Sequence, residues 1–315
     1  MSEVSMIIGL PASGKSSLVQ QYQNCRKLNR DSVGGGLDKL LPAMRQAILA
    51  GENVVLDNLN ATVESRKPFI DLAKELGVTI RAEWMMTQAE DCQINALIRM
   101  WKRYGQVFFI QMTSRRMISP RKTPNIFPIT VIFTYKKQFE KPTTAEGFAS
   151  INKVEFVRVW DDSFVNKAIF LDYDGTLRDV QGGRYKFPTD ITEIKIRSGV
   201  RPALKMAREK GYMLFGVSNQ SGIARGQVTD AVTRQLFQDT NDMLYEHIEV
   251  AYCPHNVPPV CYCRKPQSGL AIPFIMKYKI DVKKSLMVGD QTSDKTFAER
   301  LGMKFMYPDE FFRRD

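Results

Sequence analysis

Two aspartates, Asp172 and Asp174, stand two residues apart in the string FLDYDGT, directly after an apolar run. Carboxylates at this spacing can divide the work of phosphoryl transfer, because one can attack phosphorus in line while its neighbour protonates the leaving oxygen. Mg²⁺ held by these acids would shield the phosphate charge from the nucleophile. A DxD pair can also be an ordinary surface turn, but the apolar lead-in and the DGT ending favour the catalytic interpretation.

Three later strings carry groups that such a reaction needs. VSNQ offers a hydroxyl and an amide to phosphate oxygens, RK supplies cations, and VGD ends a further strand-like run with acids suited to Mg²⁺. The candidate phosphate-binding residues are Ser218, Asn219, Arg264 and Lys265, and the candidate magnesium ligands are Asp172, Asp174, Asp290 and Asp294.

Three of the five cysteines lie within eleven residues. Cys253, Cys261 and Cys263, together with His255, offer three thiolates and an imidazole, which make a closed tetrahedral set for Zn²⁺. A closed set leaves no position for water, so the predicted zinc site is structural. The alternative is a loop with ordinary cysteines, and His255 argues against it because the chain has only two histidines.

The string GLPASGKS near the amino terminus is a full P-loop between an apolar run and a helical pattern. In such a loop the glycines let backbone N–H groups close around phosphates, Lys15 reaches the β and γ oxygens of ATP, and Ser16 can ligate Mg²⁺. A chance match or a regulatory nucleotide site is the alternative. The candidate ATP-binding residues of the loop are Gly9, Ser13, Gly14, Lys15, Ser16 and Ser17.

A P-loop alone does not identify a kinase, so the residues that follow it matter. Asp31, in the string NRD, stands where a second strand should end, and its carboxylate could accept the proton of an acceptor hydroxyl. The same residue would also serve as a helix N-cap, and the residues alone do not separate these roles. Arg99 and Arg103 lie four residues apart on a helical pattern and could close over ATP, although such a pair is also typical of a solvated helix face.

Composition places these candidate sites in an ordinary globular protein. The 315 residues are 43% hydrophobic and 25% charged, which fits two domains of about 150 residues each. The net charge of +11 is distributed, since residues 1–165 carry 22 Lys and Arg against 16 Asp and Glu, and residues 166–315 carry 23 against 18. Both halves are basic, which suits sites that meet a polyanion.

No apolar run approaches the roughly 18 residues of a membrane span, and the start lacks a signal peptide, so we expect no membrane and a soluble intracellular protein.

Strand-like and helical patterns alternate in both halves and must position these residues. An apolar strand over 4–10 precedes a glycine-rich turn, and a strand-like run over 52–56 precedes helical stretches at about 63–76 and 89–103. The order of strand, acids and glycine restarts with the apolar strand at 168–171. This alternation predicts α/β domains with parallel sheets and a boundary between residues 163 and 164.

The strings GLPASGKSS, LNRD, LDNLN, RMWKR and QFEKPTTAEGF resemble the 5′-kinase domain of polynucleotide kinase 3′-phosphatases over about residues 4–160. The resemblance implies that Lys15 and Ser16 serve ATP and Mg²⁺ and that Asp31 is the general base. It also places Arg103 in a lid over the nucleotide. The remaining implied residues are Arg99 toward ATP, and Arg30, Asp57 and Asn58 toward the acceptor end.

Residues 167–307 resemble the haloacid dehalogenase superfamily, with Asp172 as the nucleophile and Asp174 as the acid and base. That resemblance makes Ser218 and Lys265 the phosphate clamp and Asp290 a metal ligand. The zinc string and SNQSGIARG are similar to the zinc-loop branch of that superfamily, which contains histidinol-phosphate and heptose-bisphosphate phosphatases. There the zinc would order the loop that delivers Arg264 and Lys265.

The sequence therefore predicts two α/β domains: a P-loop kinase domain over 1–163, and over 164–315 a haloacid dehalogenase-type phosphatase domain with a Rossmann-like sheet and a zinc loop. The expected function is repair of nucleic-acid ends, DNA or RNA, by ATP-dependent phosphorylation of 5′-hydroxyls and hydrolysis of 3′-phosphates through an aspartyl-phosphate. The expected cofactors are ATP, Mg²⁺ and Zn²⁺, and a ligase acting on the product is one candidate partner. A small-molecule kinase fused to a histidinol-phosphate or sugar-bisphosphate phosphatase is the alternative, as is a chain with one inactive head. The sequence does not indicate the oligomeric state.

Overall fold

The chain folds as two compact units in a computed structural model that describes residues 2–33, 39–108, 126–256 and 261–313. The first unit comprises Met1–Asn95 and Thr130–Arg158, and the second comprises Ala96–Ile129 and Val159–Asp315. The predicted α/β architecture with two parallel sheets is confirmed. The side chain of Asp31 lies outside the described residues.

In the described part of the first unit, the strands form one parallel sheet in the order β2-β3-β1-β4-β5. Strand β1 lies in the middle and pairs with β3 and β4, and its residues Met6, Ile7 and Ile8 are fully buried. Near-continuous apolar strands of this kind are expected where both faces of a parallel sheet are covered. The strands are β1 Glu3–Ile8, β2 Cys25–Leu28, β3 Asn53–Asp57, β4 Thr79–Met85 and β5 Ser150–Val154.

The described helices of this half include the predicted ones after the P-loop and near 63–76 and 89–103, together with three that were not predicted. They are α1 Lys15–Gln21, α2 Arg30–Val33, α3 Leu40–Leu49, α4 Val63–Glu75, α5 Ala89–Tyr104 and α6 Thr130–Gln138. Thr62 caps α4, because its side chain accepts a hydrogen bond from the Ser65 backbone and the Ser65 hydroxyl accepts one from the Thr62 backbone. Helix α5 begins in the first unit and ends in the second.

The described part of the second unit contains a parallel sheet in the order β10-β9-β6-β11-β12 and an antiparallel hairpin of β7 and β8. The parallel strands are β6 Ala168–Leu171, β9 Met213–Asn219, β10 Glu249–Cys253, β11 Leu286–Val288 and β12 Lys304–Met306, and the hairpin consists of β7 Arg178–Val180 and β8 Ile194–Ile196. The helices are α7 Val200–Glu209, α8 Asp230–Leu244, α9 Ala271–Tyr278, α10 Thr292–Leu301 and α11 Pro308–Phe312.

The parallel strands decide where functional groups meet. All strands of a parallel sheet end at the same edge, so the residues that follow neighbouring strands converge there. In the second unit β6 lies between β9 and β11, and in the first unit β1 lies beside β3. Among the described helices, none combines the length and the apolar character that a membrane span requires.

Candidate active sites

The carboxyl ends of β6, β9 and β11 bring the predicted phosphatase residues together. Asp172 directly follows β6, Ser218 lies near the end of β9, and Asp290 follows β11 after one glycine. Asp172 and Ser218 are both buried, with 7% and 1% of their surfaces exposed. Strings that are far apart in the sequence therefore contribute to one site because their strands are neighbours in the sheet.

Lys265 is the cation at the centre of this site. Its ammonium group lies 3.0 Å from Asp172 Oδ1 and 2.6 Å from Asp294 Oδ1. It also donates a hydrogen bond of 2.8 Å to the carbonyl of Val217. Burial by itself would lower the pKa of Lys265, but the two carboxylates outweigh it, so the pKa is raised and the side chain keeps its positive charge.

Three carboxylates lie close together beside this ammonium group, and two of them contact it. Ligand oxygens of Asp172, Asp290 and Asp294 all lie within 4.8 Å of one another. Burial raises the pKa of Asp172 to about 7 although Lys265 pulls it down, because Asp294 and Asp174 add to the effect of burial. Burial also raises the pKa of Asp290. Among the described atoms, Asp290 Oδ1 is buried without a hydrogen-bond partner, so the cluster has the charge and the donor atoms to hold a divalent cation.

Gly175 lets this cluster assemble. Its φ of +79° is a left-handed conformation, and a Cβ atom at this position would lie 2.6 Å from Asp290 Oδ2. Any larger residue would therefore be strained and would push the Asp290 carboxylate away. The glycine of the DGT string thus has a role in the geometry of the acids.

The Asp174 carboxylate faces a different set of partners. It accepts hydrogen bonds from Arg178 Nε at 2.9 Å and from Gln220 Nε2 at 2.8 Å. The acidic group around Lys265 consists of Asp172, Asp290 and Asp294 and does not include the Asp174 side chain among the described residues. Asp174 was one of the predicted magnesium ligands, and no local sequence pattern marks Arg178 or Gln220 as its partners.

The other predicted phosphate-binding residues make positioning contacts. The Asn219 amide accepts from the Lys265 backbone N–H at 2.9 Å and donates to the Lys265 carbonyl at 3.1 Å. Arg264 donates to the His255 carbonyl at 3.3 Å. Asn219 therefore fixes the main chain that carries Lys265, a role that sequence spacing cannot show because 46 residues separate the two.

The predicted zinc ligands lie together in the second unit. Cys253 Sγ is 3.7 Å from Cys261 Sγ, and His255 Nδ1 is 3.4 Å from Cys253 Sγ and 3.2 Å from Cys263 Sγ. Zinc–sulfur bonds of about 2.3 Å around a tetrahedral ion imply edges of roughly 3.5–3.8 Å, so these separations fit Zn²⁺ and are far too long for a disulfide. The three thiols are fully buried, so the four residues can form a closed structural site.

Tyr262, between two of these thiols, is buried and donates a hydrogen bond of 3.2 Å to the carbonyl of Phe127. The Arg99 guanidinium lies 5.9 Å from the centre of the Phe127 ring, and burial lowers its pKa. Arg103 is exposed beside the Tyr104 ring. All of these residues belong to the second unit.

In the first unit the P-loop lies between β1 and α1 as predicted. Lys15 is buried, and its ammonium group donates to the carbonyls of Gly9 at 3.0 Å and Leu10 at 2.7 Å. Gly14 has a φ of +95°, and a Cβ atom on Gly9 would lie 2.8 Å from the Ser13 hydroxyl. Only glycine fits the loop at these two positions without strain.

Other described groups of the loop point to an anion site. Ser16 and Ser17 are exposed in the first turn of α1. The Ser13 hydroxyl is buried without a hydrogen-bond partner among the described atoms, so it is available to a bound group. Thr87 donates to the Ser13 carbonyl at 2.7 Å, and Asn95 donates to the Ala12 carbonyl at 2.9 Å, so both hold the loop backbone in place.

An open cavity of about 570 Å³ adjoins the P-loop in the first unit. Asp57 enters it because β3 pairs with β1 so that Asp57 lies beside Ile7, just before the loop. The nitrogen of the Asn58 amide is buried without a partner among the described atoms, so it can donate to a bound molecule. The residues around the cavity are Lys15, Ser16, Asn29, Arg30, Asp57, Asn58, Leu59, Asn60, Ala61, Thr62, Ser65, Tyr135 and Gln138.

Arg66 fixes the wall of this cavity. Its side chain is fully buried, and its Nε and its second terminal nitrogen bind Glu146 at 2.7 and 2.9 Å. The remaining terminal nitrogen donates to the carbonyls of Asn60 at 3.1 Å, Ala61 at 3.2 Å and Glu140 at 3.0 Å. The string QFEKPTTAEGF contains Glu140 and Glu146. Through Arg66, these residues therefore hold the loop after Asp57 in place.

Residues between β7 and β8 form an aromatic and basic strip. The rings of Tyr185 and Phe187 stack with centres 5.3 Å apart and planes 5° apart, and the exposed Arg184 lies 5.5 Å from the Tyr185 ring centre. A Cβ atom on Gly222 would lie 2.6 Å from the Phe187 ring, so this ring packs against the loop that follows Gln220. The strip therefore adjoins the loop that carries the Gln220 contact to Asp174.

Comparison with known proteins agrees with this geometry. Residues 167–312 match the family described as polynucleotide kinase 3 phosphatase. The D-glycero-beta-D-manno-heptose-1,7-bisphosphate 7-phosphatase of Haemophilus influenzae is 40% identical over 140 residues, which are 41% of this chain and 74% of that protein. The histidine biosynthesis bifunctional protein HisB of Legionella pneumophila is 34% identical over 149 residues, which are 45% of this chain and 41% of that protein.

A solved structure described as the Pnkp1/Rnl/Hen1 RNA repair complex is similar over 97% of this chain and 95% of the matched chain, with 16% identity and a TM-score of 0.32. The sequence matches fall on the part of the molecule that contains Asp172, Lys265 and the neighbouring acids. Residues 167–312 therefore form a phosphatase domain of the haloacid dehalogenase type that belongs to the polynucleotide kinase 3 phosphatase family.

Proposed function

We propose that this chain repairs nucleic-acid ends, hydrolysing 3′-phosphates in its second unit and phosphorylating 5′-hydroxyls with ATP in its first. The observation that carries the phosphatase assignment is the buried contact of Lys265 with Asp172 and Asp294 at the carboxyl ends of three neighbouring strands. The kinase assignment rests on the cavity that Lys15 of the P-loop shares with Asp57.

In the phosphatase reaction Asp172 is the nucleophile. One of its carboxylate oxygens forms a bond to phosphorus, the bond from phosphorus to the sugar oxygen breaks, and Asp174 gives a proton to that leaving oxygen. Asp174 then takes a proton from the water that attacks phosphorus and releases Asp172 and inorganic phosphate. Lys265 and the Ser218 hydroxyl bind the phosphate oxygens and keep phosphorus in line with Asp172.

The two metal sites have different tasks. Asp172 and Asp290 would hold Mg²⁺, which when bound neutralises phosphate charge that would otherwise repel the carboxylate nucleophile. Cys253, His255, Cys261 and Cys263 would hold a structural Zn²⁺ that fixes the chain leading into Lys265.

In the kinase reaction the P-loop holds the phosphates of ATP. Lys15 and the loop N–H groups bind the β- and γ-phosphates, and Ser16 would serve as a ligand to Mg²⁺. Asp31 accepts the proton of the 5′-hydroxyl, whose oxygen forms a bond to the γ-phosphorus as ADP leaves. Asp57 and Asn58 face the cavity where this hydroxyl would enter.

The strip between β7 and β8 supports a nucleic-acid substrate for the phosphatase. Tyr185 and Phe187 alternate with Arg184 and Lys186, and the two basic side chains are exposed. Aromatic faces that accept bases, next to cations that accept phosphates, are typical of single-strand binding. The identity to the heptose-bisphosphatase of Haemophilus influenzae favours a second candidate, a sugar-phosphate substrate.

The deciding experiment uses one oligonucleotide with a 5′-hydroxyl and a 3′-phosphate, incubated with ATP and Mg²⁺, with each end read separately. We expect the 5′ end to gain phosphate and the 3′ end to lose it. Heptose bisphosphate and histidinol phosphate, assayed at the same concentrations, should be hydrolysed far more slowly. Faster hydrolysis of either metabolite would establish the second candidate, and an unphosphorylated 5′ end would remove the kinase assignment. A ligase joining the product ends would be the expected partner.

A further inference from the structure

Arg178 is a buried arginine in the phosphatase domain that the reaction described above does not use. Its side chain is 2% exposed, and its Nε lies 2.9 Å from Asp174 Oδ1. One terminal nitrogen donates to the Leu236 carbonyl and to the Thr240 hydroxyl, both at 2.7 Å. The guanidinium therefore joins the Asp174 carboxylate to helix α8.

Gln220 holds the other oxygen of the same carboxylate. Its amide nitrogen lies 2.8 Å from Asp174 Oδ2 and 3.0 Å from the Ser218 hydroxyl. Because two different donors bind the two oxygens, the carboxylate plane cannot turn without breaking one of these bonds. Free rotation of a terminal carboxyl group is otherwise easy, since that torsion has broad minima.

The arginine is itself immobilised by its surroundings. Its guanidinium carbon lies 5.5 Å from the Tyr173 ring centre and 5.3 Å from the Phe237 ring centre. The Tyr173 hydroxyl in turn donates to the Asn241 side chain at 2.7 Å. A rigid second contact of this kind is what keeps a reacting group within the small tolerance that catalysis allows.

We propose that Arg178 is the positioning residue for Asp174 and sets the direction in which this carboxyl group gives its proton to the leaving oxygen. Arg178 does not touch the substrate and acts only through Asp174. The inference rests on the proposed phosphatase reaction, in which proton transfer accompanies cleavage of the bond between phosphorus and the leaving oxygen.

Leaving groups of different basicity test this role. An alkoxide, such as the 3′-oxygen of a nucleotide, must be protonated as it departs, whereas p-nitrophenolate departs readily without a proton. Misplacing the acid by about 1 Å costs on the order of 100-fold, so Arg178→Met should lower the single-turnover rate of 3′-hydroxyl release from a 3′-phosphate oligonucleotide by roughly this factor. The single-turnover rate of p-nitrophenolate release, which does not include hydrolysis of the aspartyl-phosphate, should fall far less, so that the ratio of the two rates changes at least about tenfold, within the range of general acid catalysis.

Matched variants make the result specific. Asp174→Asn should show the same selective loss, and Arg178→Lys should restore part of the alkoxide rate because it keeps a donor to Asp174. Arg208→Met, which removes an arginine paired with Glu246 on the surface of the same unit, should change neither rate. Bound zinc and the unfolding temperature report whether each variant is folded.

Two outcomes would overturn the proposal. Equal losses on both substrates in folded Arg178→Met protein would show that the arginine only supports the fold, and unchanged rates would show that it has no role. If Arg178→Met does not fold, Thr240→Val removes one anchor of the arginine and must show the same selectivity in weaker form, or the proposal is wrong. If the unmodified protein hydrolyses a sugar phosphate but not the oligonucleotide, the nucleic-acid assignment fails, and the comparison is made with the sugar phosphate as the alkoxide substrate.

Discussion

Replacing Glu146 with glutamine would test the support behind the kinase cavity. Arg66 and Glu146 form a two-bond ion pair whose side chains are 0% and 6% exposed. Glu146→Gln keeps the size of the side chain and one acceptor oxygen but removes the negative charge. The Arg66 guanidinium would then remain buried with only carbonyl groups and an amide as partners.

The magnitude follows from the burial of the pair. Removing one partner of a buried ion pair costs about 3–5 kcal/mol, because the remaining charge is left without compensation. The retained amide oxygen and the three carbonyl acceptors of Arg66 place the expected loss of stability near the lower end, about 3 kcal/mol. For a domain of this size each kcal/mol lowers the unfolding temperature by roughly 2–4 °C, so we expect a fall of about 6–12 °C.

The assay is thermal unfolding of the full chain, followed by circular dichroism, with 3′-phosphatase activity as a check on the second unit. Glu75→Gln is the matched control, because Glu75 pairs with Arg45 at 2.7 Å in the same unit but with side chains 60% and 42% exposed. This control should unfold at the temperature of the unmodified protein, since solvent screens such a pair. A Glu146→Gln protein that unfolds within about 2 °C of the control would refute the reasoning, because even 1 kcal/mol should be visible.

The remaining predictions concern the two chemistries and the metals. Lys15→Ala should abolish 5′ phosphorylation and leave 3′ dephosphorylation intact, while Asp172→Asn should do the reverse, as end-specific assays of one oligonucleotide would show; loss of both activities in either folded variant would contradict separate sites. Cys261→Ser should lower bound zinc and 3′-phosphatase activity together, measured by metal analysis and product release, whereas unchanged activity in zinc-free protein would exclude the structural role. Gly175→Ala should raise the Mg²⁺ concentration needed for half-maximal phosphatase activity, because the added Cβ would displace the Asp290 carboxylate; an unchanged magnesium titration would count against that ligand.

Sequence patterns located the residues whose chemistry depends on local order. The P-loop glycines, the DxD pair and the cysteine cluster each require particular residue types at short spacing. The structure places the P-loop between β1 and α1, the DxD pair directly after β6 and the four cysteine and histidine side chains close together. The strand and helix pattern around them was also predictable, since β3 and α4 begin and end within about two residues of the expected positions.

The supporting contacts could not be predicted from one sequence. Arg66 and Glu146 are 80 residues apart, and Arg178 meets Thr240 across 62 residues. An arginine or glutamate in a sequence is usually a surface residue, so nothing local indicates that these are buried. The general-base role of Asp31 stays a prediction, because its side chain lies outside the described residues.

The order of the strands in the second unit has a consequence for how such a protein can diverge. Neighbouring strands lie about 4.8 Å apart because backbone hydrogen bonds fix that distance. The sheet therefore also fixes the spacing of the residues that follow β6, β9 and β11. The parallel sheet does not fix the spacing of the hairpin of β7 and β8 or of the loop after Gln220. Substitutions there can change the surface that meets the rest of the substrate while the spacing around phosphorus stays constant. A relative 40% identical over 140 residues can therefore share this spacing and still select a different phosphate ester.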